Sequence, residues 1–206
     1  MKLKILVVAD HESRYIWDFF DKSVFQGIDL ILSCGDLKAE YLSFLVTMIP
    51  APLLYVRGNH DGSYDEQPPE GCIDLESKPF CFRGIRFFGF GGCKSRMKKR
   101  NHYTESDMYR RVNRRIPAIF AGGMDVLVTH APALGLGDGD DRFHEGFLVF
   151  RKLIERFSPR YFVHGHQHMS YSYKTKRMMT YRNTTIINAC NYYILNMEFP
   201  DRKERT

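Results

Sequence analysis

The chain has 206 residues, 44% of them hydrophobic, and a formal net charge of +6 at pH 7. This composition excludes intrinsic disorder and is typical of a globular protein with a sizeable core, so we expect residues 1–206 to form a single domain. The basic balance favours anionic partners but does not distinguish nucleic acid from small phosphates.

The cysteines and the amino-terminal residues bear on the compartment. The cysteines number five, and none stands in a Cys-x-x-Cys pair, so we expect reduced thiols. No apolar run approaches the roughly 20 residues that a membrane-spanning helix needs. The segment Met1-Lys2-Leu3-Lys4 lacks the cleavage region of a secretory signal. We therefore expect a cytoplasmic protein with no membrane partner.

The first part of the chain predicts alternating strands and helices. Residues 4–9 are a continuous aliphatic run, and residues 13–21 carry apolar side chains at helical spacing. The pattern then predicts a strand at Leu30–Ser33, a helix at residues 38–49 and a strand at residues 52–56. The spacing is that of a strand plus a crossover helix, so these strands should be parallel.

The middle of the chain predicts a hairpin followed by a helix. Two strand-like runs, Phe80–Phe82 and Ile85–Phe90, surround a short turn. Thr104 is a suitable N-cap for a helix whose apolar stripe continues to Ile116. We expect the arginines of this helix to face solvent.

The last part of the chain predicts further strands around one helix. Val126–Thr129 and residues 161–163 are short apolar strands, and residues 146–157 are helical in pattern. The alternating runs after residue 169, beginning with Tyr171 and Tyr173, indicate an antiparallel meander. Together the elements predict an α/β protein: a four-layer α/β/β/α sandwich of two mixed sheets flanked by helices.

Polar side chains follow each of the main apolar strands. Because open α/β sheets bind ligands at the carboxyl ends of their strands, we expect these side chains to share one rim. Carboxylate and imidazole donors suit Mn, Fe, Zn or Co better than Ca, and there are enough of them for two ions. Two such ions would acidify a bridging water and clamp a phosphoryl oxygen. The rim residues are Asp10, Glu12, Asp36, Asn59, His60, His130, His166 and His168.

The order of these residues resembles the calcineurin-like metallophosphoesterase superfamily, whose pattern is D-x-H, GD, GNH[DE], H and GHxH. The matching motifs here are Asp10-x-Glu12, Gly35-Asp36, Gly58-Asn59-His60-Asp61, His130 and Gly165-His166-Gln167-His168. The resemblance implies two metal-ion sites that share one carboxylate. One site would contain Asp10, Glu12, Asp36 and His168, and the other Asp36, Asn59, His130 and His166.

The resemblance also implies a catalytic role for His60, which would lie over the scissile phosphate and stabilise the transition state or protonate the leaving oxygen. Asp61 is expected to orient it. The departure is Glu12, where the family has histidine. A carboxylate there favours Mn, Fe or Mg over Zn, so manganese is the metal we expect. We do not expect His11 to replace it, because adjacent side chains of an extended segment point oppositely.

Two loops offer further candidates. Asp141 and His144 follow His130 on a glycine-containing loop and are candidates for substrate binding, although a helix entry with Asp141 as the cap of the next helix is the interpretation we favour. Residues 94–100 are the most basic segment. This segment is able to contact a phosphate-bearing substrate, but a solvated loop is the interpretation we favour.

We therefore predict a metal-dependent phosphoesterase that hydrolyses a small-molecule phosphodiester or phosphomonoester through a hydroxide activated by two metal ions, with a diester slightly favoured. One alternative is a non-catalytic metal-binding scaffold with this fold, for which Glu12 argues mildly and against which His60 argues. In that case the first metal site is weak, and the protein binds one ion or none. A nuclease is a third reading, suggested by the basic segment, but nucleic acid is not the favoured partner. The sequence does not indicate an oligomeric state.

Overall fold

Strands and helices alternate over residues 2–65 and again over residues 102–164, and strands follow one another elsewhere. The computed structural model describes residues 1–76, 78–139, 141, 143–168 and 176–200. The strands are β1 (Lys2–Ala9), β2 (Leu30–Ser33), β3 (Leu53–Tyr55), β4 (Ile73–Asp74), β5 (Phe80–Phe82), β6 (Ile85–Phe90), β7 (Cys93–Lys94), β8 (His102–Tyr103), β9 (Val126–Thr129), β10 (Tyr161–His164), β11 (Met178–Tyr181), β12 (Thr184–Asn188) and β13 (Asn191–Glu198). The helices are α1 (Arg14–Asp18), α2 (Ala39–Met48), α3 (Glu105–Asn113), α4 (Ile116–Gly122) and α5 (Leu148–Phe157), with a short 3₁₀ helix at Asp61–Asp65. Within the described ranges, no helix has both the length and the apolar character of a membrane span.

The strands form two large sheets and one small pairing. The first sheet has the order β13-β1-β2-β3-β4, in which β1 to β4 are parallel and β13 is antiparallel to β1. The second has the order β11-β12-β10-β9-β6-β5, with a parallel centre and antiparallel edge strands. Strands β7 and β8 pair with each other in parallel.

Both faces of β1 are apolar because both are covered. Leu3, Ile5 and Val7 belong to the core between the two sheets, whereas Leu6 and Val8 pack with residues of α1 and α2. The outer face of the second sheet packs against α3, α4 and α5. Alternate side chains of one strand therefore serve two cores, and the predicted four-layer α/β/β/α sandwich is confirmed.

The helix after Thr104 is shorter than the prediction. Thr104 caps α3 through a capping box with Asp107, but α3 ends at Asn113 and α4 begins at Ile116. Pro117 lies in the first turn of α4, the part of a helix that tolerates a residue without a backbone N–H. The prediction of one helix through Ile116 is therefore wrong.

Two arginines of this region do not face solvent as predicted. The Arg111 side chain is 22% exposed, forms an ion pair with Glu76 and lies over the Tyr103 ring at 4.2 Å. Arg115 donates to the backbone carbonyl oxygen of Glu76. These arginines hold α3 and the start of α4 against the segment that follows β4.

The carboxyl-terminal strands do not form one meander. β11 and β12 are antiparallel neighbours in the second sheet, but β12 is also parallel to β10, and β13 crosses to the first sheet. An alternating pattern reports which side chains are buried and not which strand is the partner, so the meander prediction is wrong beyond the first hairpin. Tyr171 and Tyr173 lie outside the described residues.

Candidate metal centre

The loops after β1, β2, β3, β9 and β10 meet at one rim. The backbone N–H of Asp10 donates to the Gly35 carbonyl oxygen over 3.1 Å, and that of Gly165 donates to the His130 carbonyl oxygen over 3.0 Å. His166 N donates to Asp10 Oδ1 over 2.9 Å, which joins the rim of one sheet to the rim of the other. The rim is therefore built by both sheets.

Three rim residues adopt a left-handed backbone directly after or near a strand end. The φ angles are 66° at Asp10, 57° at Asp36 and 65° at His166. For a residue with a β-carbon this conformation costs on the order of 1 kcal/mol, and such strain is concentrated at functional sites. At Asp10 the turn is closed by His11 N donating to the Ala9 carbonyl oxygen over 2.7 Å. These turns end the extended backbone and redirect the side chains.

The glycines of the second and third motifs are required by close backbone packing. Gly35 has a φ of 90°, and a β-carbon added to it would lie 2.3 Å from the Gly58 nitrogen. A β-carbon added to Gly58 would lie 2.0 Å from Asp36 Oδ1. The two turns therefore pack backbone against backbone, which brings Asp36 beside the loop that carries Asn59.

Asp36, His130 and His166 form the centre of the cluster. Each offers a ligand atom, and these atoms all lie within 4.8 Å of one another. His130 Nε2 lies 3.0 Å from Asn59 Oδ1 and 3.4 Å from Asp36 Oδ2. The structure thus assembles the four residues that the motifs assigned to one metal ion.

Backbone carbonyl groups orient both imidazoles. His130 Nδ1 lies 2.7 Å from the Cys34 carbonyl oxygen, and His166 Nε2 lies 2.8 Å from that of Phe143. A carbonyl oxygen only accepts, so these two ring nitrogens are the donors. The opposite nitrogens, Nε2 of His130 and Nδ1 of His166, are then the ones suited to bind a metal, an arrangement that recurs around metal-binding histidines.

The charges of the site fit a divalent cation. Burial raises the pKa of Asp10 to about 6, and its Oδ2 is buried without a hydrogen-bond partner among the described residues. Burial lowers the pKa of His130, but the Asp36 carboxylate outweighs burial and raises that pKa to about 9. A cation at the rim would give the orphaned Asp10 oxygen a partner and take the place of the His130 proton. We conclude that these residues fit a divalent metal ion.

His60 and Asp61 follow Asn59 but occupy different environments. The His60 side chain is 81% exposed, with Nε2 3.9 Å from Asp36 Oδ2, and its backbone N–H donates to Asp36 Oδ1 over 2.8 Å. Asp61 is 4% exposed, and its Oδ2 accepts from Gly58 N over 2.7 Å and from Asp36 N over 2.8 Å. Asp61 therefore joins the two glycine turns, and its hydrogen bonds within the described part of the chain do not include the His60 ring.

The structure does not bring Glu12 into the cluster. Lys38 N donates to Glu12 Oε1 over 3.2 Å, and Lys38 Nζ lies 3.4 Å from Oε2, so the carboxylate faces the start of α2. The ring that lies beside His168 is that of His11, at a centroid distance of 4.5 Å. The alternation argument against His11 was wrong, because the left-handed turn at Asp10 interrupts the extended backbone on which it depended.

His144 lies at the metal centre, and Asp141 holds it there. His144 Nδ1 lies 2.7 Å from Asp141 Oδ2, and the His144 ring is 5.4 Å from the His166 ring. Asp141 Oδ1 accepts from the backbone N–H groups of Phe143 and His144, so it does not cap α5. Glu105 supplies that cap from another element, since its carboxylate accepts from Leu148 N and Val149 N.

A groove of about 1610 Å³ opens over the cluster. Besides the metal-centre residues and His144, its lining includes Arg96, Lys99 and the exposed ring of Phe143. Residues 96–100 are exposed, as expected of a solvated loop, and several of them also line this groove. The basic run was visible in the sequence, but its composition alone carried no information about which surface it faces.

A carboxylate and imidazole cluster at the shared rim of two sandwiched sheets defines a class of metal-dependent hydrolases. The chain belongs to the calcineurin-like phosphoesterase family, whose model matches residues 3–170. Membership establishes a metal-dependent phosphoesterase in general terms and confirms the resemblance inferred from the motifs.

Comparison with individual proteins agrees with this assignment. UPF0046 protein K07C11.7 of Caenorhabditis elegans is 26% identical over 225 aligned positions, which cover 92% of this chain and 70% of that protein. The crystal structure of TT1561 of Thermus thermophilus has a TM-score of 0.65 at 14% identity, covering 93% of this chain and 90% of that one. Another solved structure has a TM-score of 0.70 at 16% identity over 95% of both chains. At these identities the structural likenesses show the fold alone.

Proposed function

We propose that this protein hydrolyses a small-molecule phosphodiester or phosphomonoester with the help of two divalent metal ions. The observation that carries the proposal is the convergence of Asp36, His130 and His166, of which Asp36 and His166 line a groove together with the exposed ring of His60. Donors of this kind suit metal ions that act on phosphate esters.

The proposed ligands fall into two groups that share Asp36. One ion would be held by Asp36, Asn59, His130 and His166, and the other by Asp10, Asp36 and His168. We leave Glu12 out of the second group because Lys38 engages its carboxylate. Bound divalent ions supply Lewis-acid chemistry, lowering the pKa of water and neutralising phosphoryl charge. Mixed oxygen and imidazole donors accept Mn, Fe, Zn, Co or Mg, and we propose manganese as the working ion.

The remaining roles belong to side chains that the metal does not use. His60 is exposed to the groove, where its imidazole is able to protonate the leaving oxygen or to donate a hydrogen bond to the phosphoryl group. His144, with its ring fixed by Asp141, would hold a phosphoryl oxygen. Asp61 would act as a positioning residue, because its carboxylate holds the turns that carry Asp36 and Gly58.

Two further features support the finer parts of the proposal. The groove is far larger than a phosphate ion needs, which favours an ester with a substantial organic part. No disulfide joins any cysteines in the part of the chain that the structure describes, which supports a reducing compartment such as the cytoplasm.

The test is hydrolysis of bis-p-nitrophenyl phosphate and p-nitrophenyl phosphate by metal-stripped protein reloaded separately with Mn, Fe, Zn, Co or Mg. We expect turnover that requires metal and that is lost in Asp36→Asn, because Asp36 is common to both proposed ligand groups. His60→Gln should bind metal normally and lose roughly 10²–10³-fold in turnover.

Metal content is measured beside activity, so that binding and catalysis are separated. A protein that binds metal but hydrolyses neither ester with any ion would contradict the enzyme proposal and support the scaffold alternative. Activity that survives Asp36→Asn would contradict the proposed ligand groups.

A further inference from the structure

Residues 94–100, here called the basic arm, are held at both ends by loops of the metal centre. At one end Lys94 Nζ lies 2.8 Å from Glu145 Oε1, and Glu145 directly follows His144. At the other end Arg100 Nη1 donates over 3.0 Å to the carbonyl oxygen of Gly62, which lies two residues after His60. The arm therefore connects the loops that carry two of the proposed substrate-contacting histidines.

The base of the arm is also fixed by backbone hydrogen bonds. Cys93–Lys94 pairs with His102–Tyr103 as a short parallel ladder. Ser95 N donates to the Tyr103 carbonyl oxygen over 2.9 Å, and Gly92 N donates to that of Arg57 over 2.7 Å. These bonds anchor the base of the arm, because the flanking strands β7 and β8 and the two terminal cations have partners in the body of the protein, whereas residues 96–100 are exposed.

The central cations of the arm are not neutralised. Among the residues that the structure describes, Arg96, Lys98 and Lys99 form no ion pair. The acids nearest the arm are already engaged: Glu105 and Glu145 pair with Lys94, and Asp65 pairs with Arg57 and Arg100. The positive charge of the arm is thus concentrated at its centre.

Two of these three cations face the groove. Arg96 and Lys99 are exposed and line the same groove as Asp36, Asn59 and His166, whereas Lys98 is exposed but does not line it. A guanidinium and an ammonium that line the same groove are able to bind a phosphate group, the guanidinium with paired hydrogen bonds and the ammonium as a point charge. The metal cluster provides a separate place for the scissile phosphate.

We propose that Arg96 and Lys99 bind a second anionic group of the substrate, so that the preferred substrate is a small phosphoester carrying a further phosphate. This inference rests on the proposed phosphoesterase function and names the substrate class for it. The second phosphate is not cleaved; it holds the ester in the groove.

The experiment compares two chromogenic diesters that differ only in the second phosphate. These are the p-nitrophenyl ester of thymidine 5′-phosphate and the same ester carrying a 3′-phosphate. With manganese-loaded wild-type protein we expect kcat/KM to be about tenfold higher for the 3′-phosphorylated ester, the combined effect of two partly exposed charge contacts. The preference should shrink as ionic strength rises, because exposed charges are screened.

Three single variants are compared, each of which removes one positive charge from the same arm, and Lys98→Gln is the matched control. We expect Arg96→Gln and Lys99→Gln each to reduce the preference about threefold, and the double variant to abolish it. Lys98→Gln should keep both the preference and the activity on the unphosphorylated ester. If Lys98→Gln reduced the preference for the 3′-phosphorylated ester as much as the other two variants do, the net positive charge of the arm and not a specific contact would explain the preference. The inference would then be wrong.

Two other results would also overturn the inference. One is a wild-type protein that hydrolyses both esters equally well. The other is tighter binding of thymidine oligonucleotides as they lengthen from about 5 to about 20 residues, with a steep salt dependence, which would assign the arm to nucleic acid.

Failure of the proposed function itself has a different signature. If neither ester is hydrolysed, calorimetric titration of thymidine 3′,5′-bisphosphate and thymidine 5′-monophosphate into manganese-loaded protein tests the arm directly. Tighter binding of the bisphosphate that Arg96→Gln weakens and Lys98→Gln does not would support the arm without catalysis. Equal binding of both nucleotides would overturn the inference.

Discussion

Replacing Gly58 with alanine should weaken metal binding although it replaces no proposed ligand. The new β-carbon would lie 2.0 Å from Asp36 Oδ1 and 2.4 Å from Asp36 N, so Asp36 has to move. Displacing a neighbour that positions a ligand typically costs 10–100-fold in metal affinity, and we expect Gly58→Ala to fall in that range of roughly 10–100-fold. Calorimetric titration of manganese into metal-stripped protein measures the loss.

Gly62→Ala is the matched control for this prediction. Its β-carbon would meet only Arg100 Cδ, at 3.7 Å, which is ordinary contact. Manganese affinity should therefore remain at the wild-type value. Equal affinities in Gly58→Ala and Gly62→Ala would show that the turn relaxes without moving Asp36.

Replacing Glu12 with glutamine tests the one motif position that departs from the family pattern. The structure ties the Glu12 carboxylate to Lys38 at the start of α2, and a carboxylate near a helix N-terminus is favourable on its own account. We expect Glu12→Gln to bind the same number of metal ions per chain as wild type, measured by elemental analysis of reloaded protein. Loss of one ion per chain in Glu12→Gln, beside intact binding in Lys38→Gln, would show that Glu12 is a ligand.

At the scale of elements, Glu76 joins three parts of the fold. Its Oε1 accepts from Arg57 N over 2.9 Å at the start of the Gly58 turn, and its Oε2 accepts from Arg111 of α3. Its backbone carbonyl oxygen accepts from Arg115. The Glu76 side chain is 14% exposed, so these contacts are shielded from water.

We expect Glu76→Gln to lower the free energy of unfolding by about 2 kcal/mol, because it leaves the partly buried Arg111 guanidinium without a counter-charge. Urea denaturation followed by circular dichroism measures the change. Glu66→Gln, at an exposed position, should change the free energy of unfolding by less than about 0.5 kcal/mol. If both variants lowered the free energy of unfolding by a similar amount, the loss would come from removing a negative charge at any position, and the ion pair between Glu76 and Arg111 would contribute nothing specific.

At the scale of the whole molecule, the exposure of each cysteine indicates how tightly the layers are packed. Cys81 is exposed, Cys72 is half-buried, and Cys34, Cys93 and Cys190 are buried. Burial raises the pKa of the Cys72 and Cys93 thiols to about 12, so little of either is thiolate near neutral pH.

We expect iodoacetamide at about pH 8 to modify one cysteine of the folded protein quickly, and all of them after unfolding in guanidinium. Mass spectrometry of the intact chain counts the adducts, and Cys81→Ser should remove the fast one. Because a raised pKa means less thiolate at a given pH, modification of Cys72 should continue to speed up as pH rises towards 12. Rapid modification of Cys34 in the folded protein would contradict the packed four-layer arrangement, because Cys34 lies in the core between the two sheets.

Much of the fold was readable because strand burial leaves a local pattern. The aliphatic run of β1, the hairpin of β5 and β6, and the polar residues after each strand predicted the layers and the rim. The identity of a strand's partner leaves no such pattern in the sequence. The prediction therefore placed β13 in a meander, although β13 pairs with β1, which is distant from it in the chain. The break between α3 and α4 was not predicted, because Pro117 indicates the start of a new helix only when its position in the first turn of α4 is known.

The sequence by itself determined the family, the four layers and a set of candidate site residues, because motif order and hydrophobic period are local properties of the chain. Tertiary structure alone decided what those residues contact. In the folded protein the Glu12 carboxylate faces Lys38, and the His11 ring lies beside that of His168. The Asp61 carboxylate accepts hydrogen bonds from two backbone N–H groups, and residues of the basic arm line the groove. These outcomes depend on left-handed turns and on bonds between residues distant in the chain, and neither leaves a local signature in the sequence.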